Sequence, residues 1–66
     1  MTIIMNGSPR EVSERATVAD LLTQLNVRAQ QVAVEVNRAV VPRDRHAQHV
    51  LASNDAVEIV TLVGGG

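Results

Sequence analysis

NDAVEIVTLVGGG, residues Asn54 to Gly66, runs from a turn through an apolar stretch into three consecutive glycines. Ser53, Asn54 and Asp55 are turn-forming residues, and asparagine tolerates the left-handed backbone region. Val57 to Leu62 then reads as a strand. Strand side chains alternate, so Val57, Ile59 and Thr61 share one face while Val60 and Leu62 take the other. The glycines obey a different logic. Glycine loses more conformational freedom on folding than any other residue, so three in succession do not stabilise the strand they follow. They do make a narrow tether for a carboxylate on Gly66, able to enter a channel that any Cβ would block. A frayed tail is the plainer alternative. The expected organisation is one domain over residues 1–63 and a flexible, reactive tail at Gly64, Gly65 and Gly66.

Working back from the last strand, ATVADLLTQLN places Val18, Leu21, Leu22 and Leu25 on one stripe of an amphipathic helix. Thr17 is its expected N-cap, with Asp20 three residues on as a shortened capping box, and Asn26 is the expected stop. Upstream, Thr2 to Asn6 reads as a strand, Asn6-Gly7-Ser8-Pro9 as a turn, and Arg10 to Ser13 as the returning strand. Ile3 and Met5 would share one face of it and Ile4 the other. Downstream, Val32 to Val36 reads as a strand, Asn37-Arg38 as a turn, and a short strand follows until Pro42, which cannot donate a ladder hydrogen bond. Arg43 to Ser53 reads as an irregular or single-turn connection. The order β-β-α-β-β-β, with one helix against one face of a mixed sheet, is an α+β layer arrangement.

Composition narrows the function classes. A 66-residue chain is one domain and has no room for a deep cleft, since a domain near this size buries only about 60% of its unfolded surface. There is no Phe, Tyr or Trp, so aliphatic side chains fill the core, and base-stacking modes of nucleic-acid binding lack their platforms. Six arginines against seven acids give a net charge of −1, which leaves no basic footprint for nucleic acid or an anionic membrane. With no cysteine there is no disulfide, thiolate metal site or nucleophilic thiol. The opening MTIIM lacks the features of a signal segment, and no apolar stretch reaches membrane-spanning length. The expectation is a mature, soluble, cytoplasmic protein.

Residues for independent catalysis are scarce. His46 and His49 are close enough to share a metal, but no further His or Cys completes a site, and two solvated loop histidines is the expectation. Arg43-Asp44-Arg45 reads as a solvated run. Ser8 and Ser13 lie in or beside hairpin turns with no base placed to activate them. Asp55 and Glu58 suit a turn and an exposed strand face better than acid/base work. If the helix covers one side of the sheet, Ile4, Val60 and Leu62 can form an apolar patch for a partner on the other; scattered surface aliphatics are the alternative.

Across nearly its whole length the chain resembles a known family. MNG at Met5 to Gly7, TVADLLTQL at Thr17 to Leu25, VAVEVN followed by VVPR between Val32 and Arg43, and NDAVEIVTLVGGG at Asn54 to Gly66 resemble the ubiquitin-like sulfur carriers, and within them the ThiS type of thiamin biosynthesis. The resemblance implies a ubiquitin-like β-grasp fold. It also implies a protein cosubstrate with no catalytic or metal site and no bound cofactor. Gly66 would be adenylated by a ThiF-type adenylyltransferase using ATP and Mg²⁺, and Gly64 and Gly65 would enter that enzyme's active site. Sulfur from a cysteine desulfurase persulfide would convert Gly66 to a thiocarboxylate and pass to a ThiG-type thiazole synthase. Two features depart from the family: His46, where relatives often carry an aromatic residue, and Asn54, in place of the usual glycine of the last turn. Beside this reading stand a carrier like the molybdopterin-synthase small subunit, which shares the fold and a terminal Gly-Gly, and a non-catalytic β-grasp interaction module.

Overall fold

A computed structural model of the chain describes residues 1–62. The elements in chain order are β1 (Thr2–Met5), β2 (Ser8–Glu11), α1 (Val18–Leu25), β3 (Val32–Val36), β4 (Ala39–Val40) and β5 (Ala56–Thr61), with single 3-10 turns at Ala29–Gln31 and Arg43–Arg45. The β-β-α-β-β-β order is the expected one. The strands form one sheet in the order β2-β1-β5-β3-β4. β5 lies at the centre, parallel to β1 and antiparallel to β3. Helix α1 covers one face, and the core between them joins Ile3, Val18, Leu21, Leu22, Val34 and Val57, all buried.

Local chemistry sets each element. At the start of α1 the Thr17 hydroxyl accepts from the Asp20 N–H at 3.1 Å, and the Asp20 carboxylate accepts from the Thr17 N–H at 2.9 Å, a complete capping box. The first helical N–H groups cannot find intrahelical partners. Those of Val18 and Ala19 donate instead to the carbonyls of His49 and His46, each at 3.0 Å. The helix therefore fixes the 43–53 connection to its own N-terminus. It ends at Asn26 in the left-handed conformation, φ 58°, as its sequence suggests.

The first hairpin is tighter than expected. Met5 pairs with Ser8, so only Asn6 and Gly7 form the loop, with φ of 49° and 85°. Two positive φ values are what a two-residue type I′ turn requires, and its twist matches that of the strands. Ser8 and Pro9 thus belong to β2, which spans Ser8–Glu11 rather than Arg10 to Ser13. Pro9 is tolerated because β2 is an edge strand. The second hairpin repeats the device at Asn37 and Arg38, with φ of 53° and 72°. β5 starts one residue earlier than expected, after Asn54 turns the chain at φ 69°.

The connection after Pro42 carries a larger correction. His46 is not a solvated loop histidine; it is 5% exposed. Its ring Nε2 lies 3.1 Å from the Val41 carbonyl, and because a carbonyl only accepts, Nε2 is the protonated nitrogen. Nδ1 is buried without a partner. The backbone explains the placement: once the His46 carbonyl is held by the Ala19 N–H, the side chain lies against the helix with Leu22, Val27 and Ala29 nearby. His49 is half-buried.

The two hairpin asparagines also clamp β5 from opposite sides. The Asn6 side chain accepts from the Ile59 N–H at 2.8 Å and donates to the Ile59 carbonyl at 3.3 Å, extending the β1–β5 ladder by one pair beyond Met5. The Asn37 side chain accepts from the Ala56 N–H at 2.9 Å and donates to Asp55 at 3.0 Å. Asn6→Gly keeps the left-handed backbone accessible but deletes the amide, and is expected to cost about 1–2 kcal/mol for two exposed hydrogen bonds. Urea unfolding measures it, and a midpoint equal to that of the parent chain would refute the clamp.

Candidate functional site

The two faces of β5 meet different surroundings. Val57 is 1% exposed beneath α1, and Ile59 packs against the same core. On the other face Val60 and Leu62 remain 57% and 48% exposed. The alternation read from the sequence therefore assigns the faces as the structure has them. Ile4 pairs with Ala56, which places it on the outer face too, and it is half-buried.

Ile4, Val60 and Leu62 thus share a face without forming one contiguous cluster. Ile4 lies beside the first residue of β5, and Val60 is four positions further on, about 13 Å at the rise of a strand. Ala56 and Glu58 lie between them on that face. The register adds residues that sequence reasoning missed: Ala33 pairs with Val60, and Val40 pairs with Glu35, itself opposite Glu58. Val40 is 66% exposed. Alternation along a two-residue strand carries too little signal to reveal it.

At its far end β5 is held on the β3 side. The Leu62 N–H donates to the Gln31 carbonyl at 2.8 Å, so hydrogen bonding continues past the last strand residue. Gly64, Gly65 and Gly66, the expected reactive tail, lie outside the described residues.

The remaining polar side chains are engaged in structure or stand apart. The Asp55 carboxylate accepts from the Ala52 N–H at 2.8 Å as well as from Asn37, which confirms its role in the turn. Ser8 is an exposed edge-strand residue and Ser13 an exposed loop residue. Among the described residues no group of three or more His, Cys, Asp or Glu could hold a metal ion, and no helix is long and apolar enough to cross a membrane.

Comparison with known proteins places this architecture. The ThiS family model matches residues 3–66. The chain belongs to the ThiS family. The sulfur carrier protein ThiS of Escherichia coli is 32% identical over 66 residues, with both chains covered in full. The crystal structure of the thiamine biosynthesis protein ThiS from Geobacter metallireducens superposes with a TM-score of 0.86 at 36% identity, again covering both chains completely. The mixed five-stranded sheet with its single described α-helix is accordingly a ubiquitin-like β-grasp. A thiazole synthase of Paramagnetospirillum magneticum is 41% identical over 66 residues, and this ThiS-family chain spans 20% of its length.

The assignment of faces makes a direct stability prediction. Leu62→Asp, at a half-exposed position, should cost less than about 1 kcal/mol, whereas Val57→Asp places a carboxylate in the core and should abolish cooperative folding. Circular-dichroism melts of the two variants distinguish the faces; comparable destabilisation by both would contradict the assignment.

Proposed function

We propose that this chain is a cytoplasmic sulfur carrier whose carboxylate on Gly66 is the working group. The observation that carries the reading is the match to the ThiS family through residue 66, together with end-to-end alignment to a protein named as a sulfur carrier. The scarcity of catalytic constellations fits a cosubstrate on which other enzymes act.

The chemistry follows from the carboxylate's weakness as an electrophile. A ThiF-type adenylyltransferase, using ATP and Mg²⁺, lets a Gly66 oxygen attack the α-phosphorus and expels pyrophosphate. The acyl adenylate is then attacked by the terminal sulfur of a persulfide from a cysteine desulfurase, and AMP leaves. Cleavage of the resulting sulfur–sulfur bond by a partner's thiol leaves the thiocarboxylate on this chain and a disulfide on the partner. That thiol must be external, because the chain has no cysteine. Gly64 and Gly65 let the tail enter the activating site without side-chain clashes. The acceptor is a ThiG-type thiazole synthase; a segment similar to this chain occurs within a protein named thiazole synthase, which supports that pairing.

The outer sheet face is the docking surface in this scheme. Val60 lies on the last strand and Leu62 directly follows it, shortly ahead of the glycines in sequence, so a partner that grips them receives the tail from a fixed point. Leu62→Asp should therefore weaken activation while preserving the fold.

Intact-mass analysis after incubation with the adenylyltransferase, ATP, a cysteine desulfurase and cysteine tests the reading. The expected product is heavier by one oxygen-to-sulfur exchange, located on Gly66 by fragmentation and absent without ATP. Sulfur otherwise occurs only in Met1 and Met5. Deleting Gly66, or Gly65→Val, should abolish ATP–pyrophosphate exchange with little change in thermal midpoint. No mass change with active partners, or sulfur elsewhere in the chain, would overturn the carrier reading in favour of an inert interaction module.

A further inference from the structure

The outer sheet face has a charge pattern that the fold does not need. Following the strand registers, its charged residues are Glu11 on β2, Glu35 on β3 and Glu58 on β5, whereas the only arginine within a strand, Arg10, pairs with buried Ile3 on the helix side. Glu11 is accounted for, since it accepts from the Thr2 hydroxyl and faces the Met1 ammonium at 3.8 Å. Glu35 and Glu58 are not. They stand directly opposite each other in the antiparallel β3–β5 pair. Their Cβ atoms are therefore about 4.5–5.5 Å apart, and like charges so placed destabilise a sheet. The ion pairs among the described residues are those of Met1 with Glu11 and Glu14, so neither Glu35 nor Glu58 is in an ion pair. Around it lie Val40, Ala56, Val60 and Ala33, the first and third of them exposed large aliphatics.

We propose that Glu35 and Glu58 form a twin-carboxylate seat for a basic side chain, most suitably an arginine, presented by the activating adenylyltransferase within an apolar rim that covers Val40, Val60 and Leu62. The inference rests on the carrier reading and adds the chemistry of the partner surface. Charge selects this occupant. A second copy docked face to face would set carboxylates against carboxylates, and an anionic membrane or nucleic acid would be repelled. A guanidinium has a planar fork of donors that can bond both carboxylates at once, and it relieves their mutual repulsion on arrival. The pair then contributes on-rate and register more than fold stability.

ATP–pyrophosphate exchange by the cognate adenylyltransferase, with the carrier titrated, tests this. Glu35→Gln/Glu58→Gln should raise the carrier's KM at least tenfold at low salt with kcat nearly unchanged, and the difference should shrink as salt rises. The arginine version of the double variant should be worse still. Asp44→Asn, an exposed acid on the 43–45 turn, serves as the control and should match the parent chain. Thermal midpoints of the glutamine double variant should equal or exceed the parent's, because a repulsive pair has been removed. If the parent chain is activated and the double variant has an unchanged KM, or if its KM and its midpoint deteriorate together, the seat is refuted and the carrier reading stands. If the parent chain supports no exchange with an active enzyme, the carrier reading fails and this inference falls with it.

Discussion

The structure depends on β5 occupying the centre of the sheet. The β1–β2 hairpin and the β3–β4 hairpin do not pair with each other; each reaches the sheet by pairing with β5. This strand comes from the far end of the sequence, and its parallel pairing with β1 joins distant segments, with the loop-closure entropy that such pairing entails. Val57 at its inner face and the amides of Asn6 and Asn37 at its flanks hold it in register. A one-residue slip would turn Val57 to solvent and bring Glu58 into the core, so the alternation that builds the core also specifies the outer face.

That division of faces links fold to function. A single helix can cover only one side of the sheet, and it covers the side bearing Ile3, Val34 and Val57. The opposite side retains exposed aliphatics and the facing carboxylates of Glu35 and Glu58. In sequence the glycines follow the central strand after Leu62 and Val63. In the proposed scheme docking information and the carboxylate to be activated are carried by one continuous segment, while the residues that hold the domain together lie on the other face.

Much of this is legible in the sequence, because local rules and tertiary packing agree. Thr17 with Asp20, Asn26, the Val32–Val36 strand and the Asn37-Arg38 turn each carry their own signal, and the alternation from Val57 to Leu62 assigns both faces correctly. The failures have physical causes. Ser8 and Pro9 resemble turn residues, but a two-residue loop at Asn6-Gly7 already satisfies the twist, and an edge strand accepts proline. His46 lies in a polar stretch, and its burial accompanies a long-range bond from the helix N-terminus to its carbonyl and a ring bond to the Val41 carbonyl, neither of which the local pattern shows. The carboxylate pair is hidden for the same reason: Glu35 and Glu58 are far apart in sequence, and nothing short of the register shows that they face each other. The glycine tail lies outside the described residues, and the family match that runs through residue 66 supports its proposed role.

The central claim, that one sheet face serves the fold and the other the activating enzyme, is tested most directly by methyl NMR. The chain, labelled at Ile, Leu and Val methyl groups, is titrated with unlabelled, perdeuterated adenylyltransferase, and cross-saturation from the enzyme is read at each methyl. The account predicts strong saturation at Ile4, Val40, Val60 and Leu62, and little at Ile3, Leu21, Val34 and Val57. Saturation concentrated on the exposed side of α1, with the outer-face methyls unaffected while the complex forms, would contradict it.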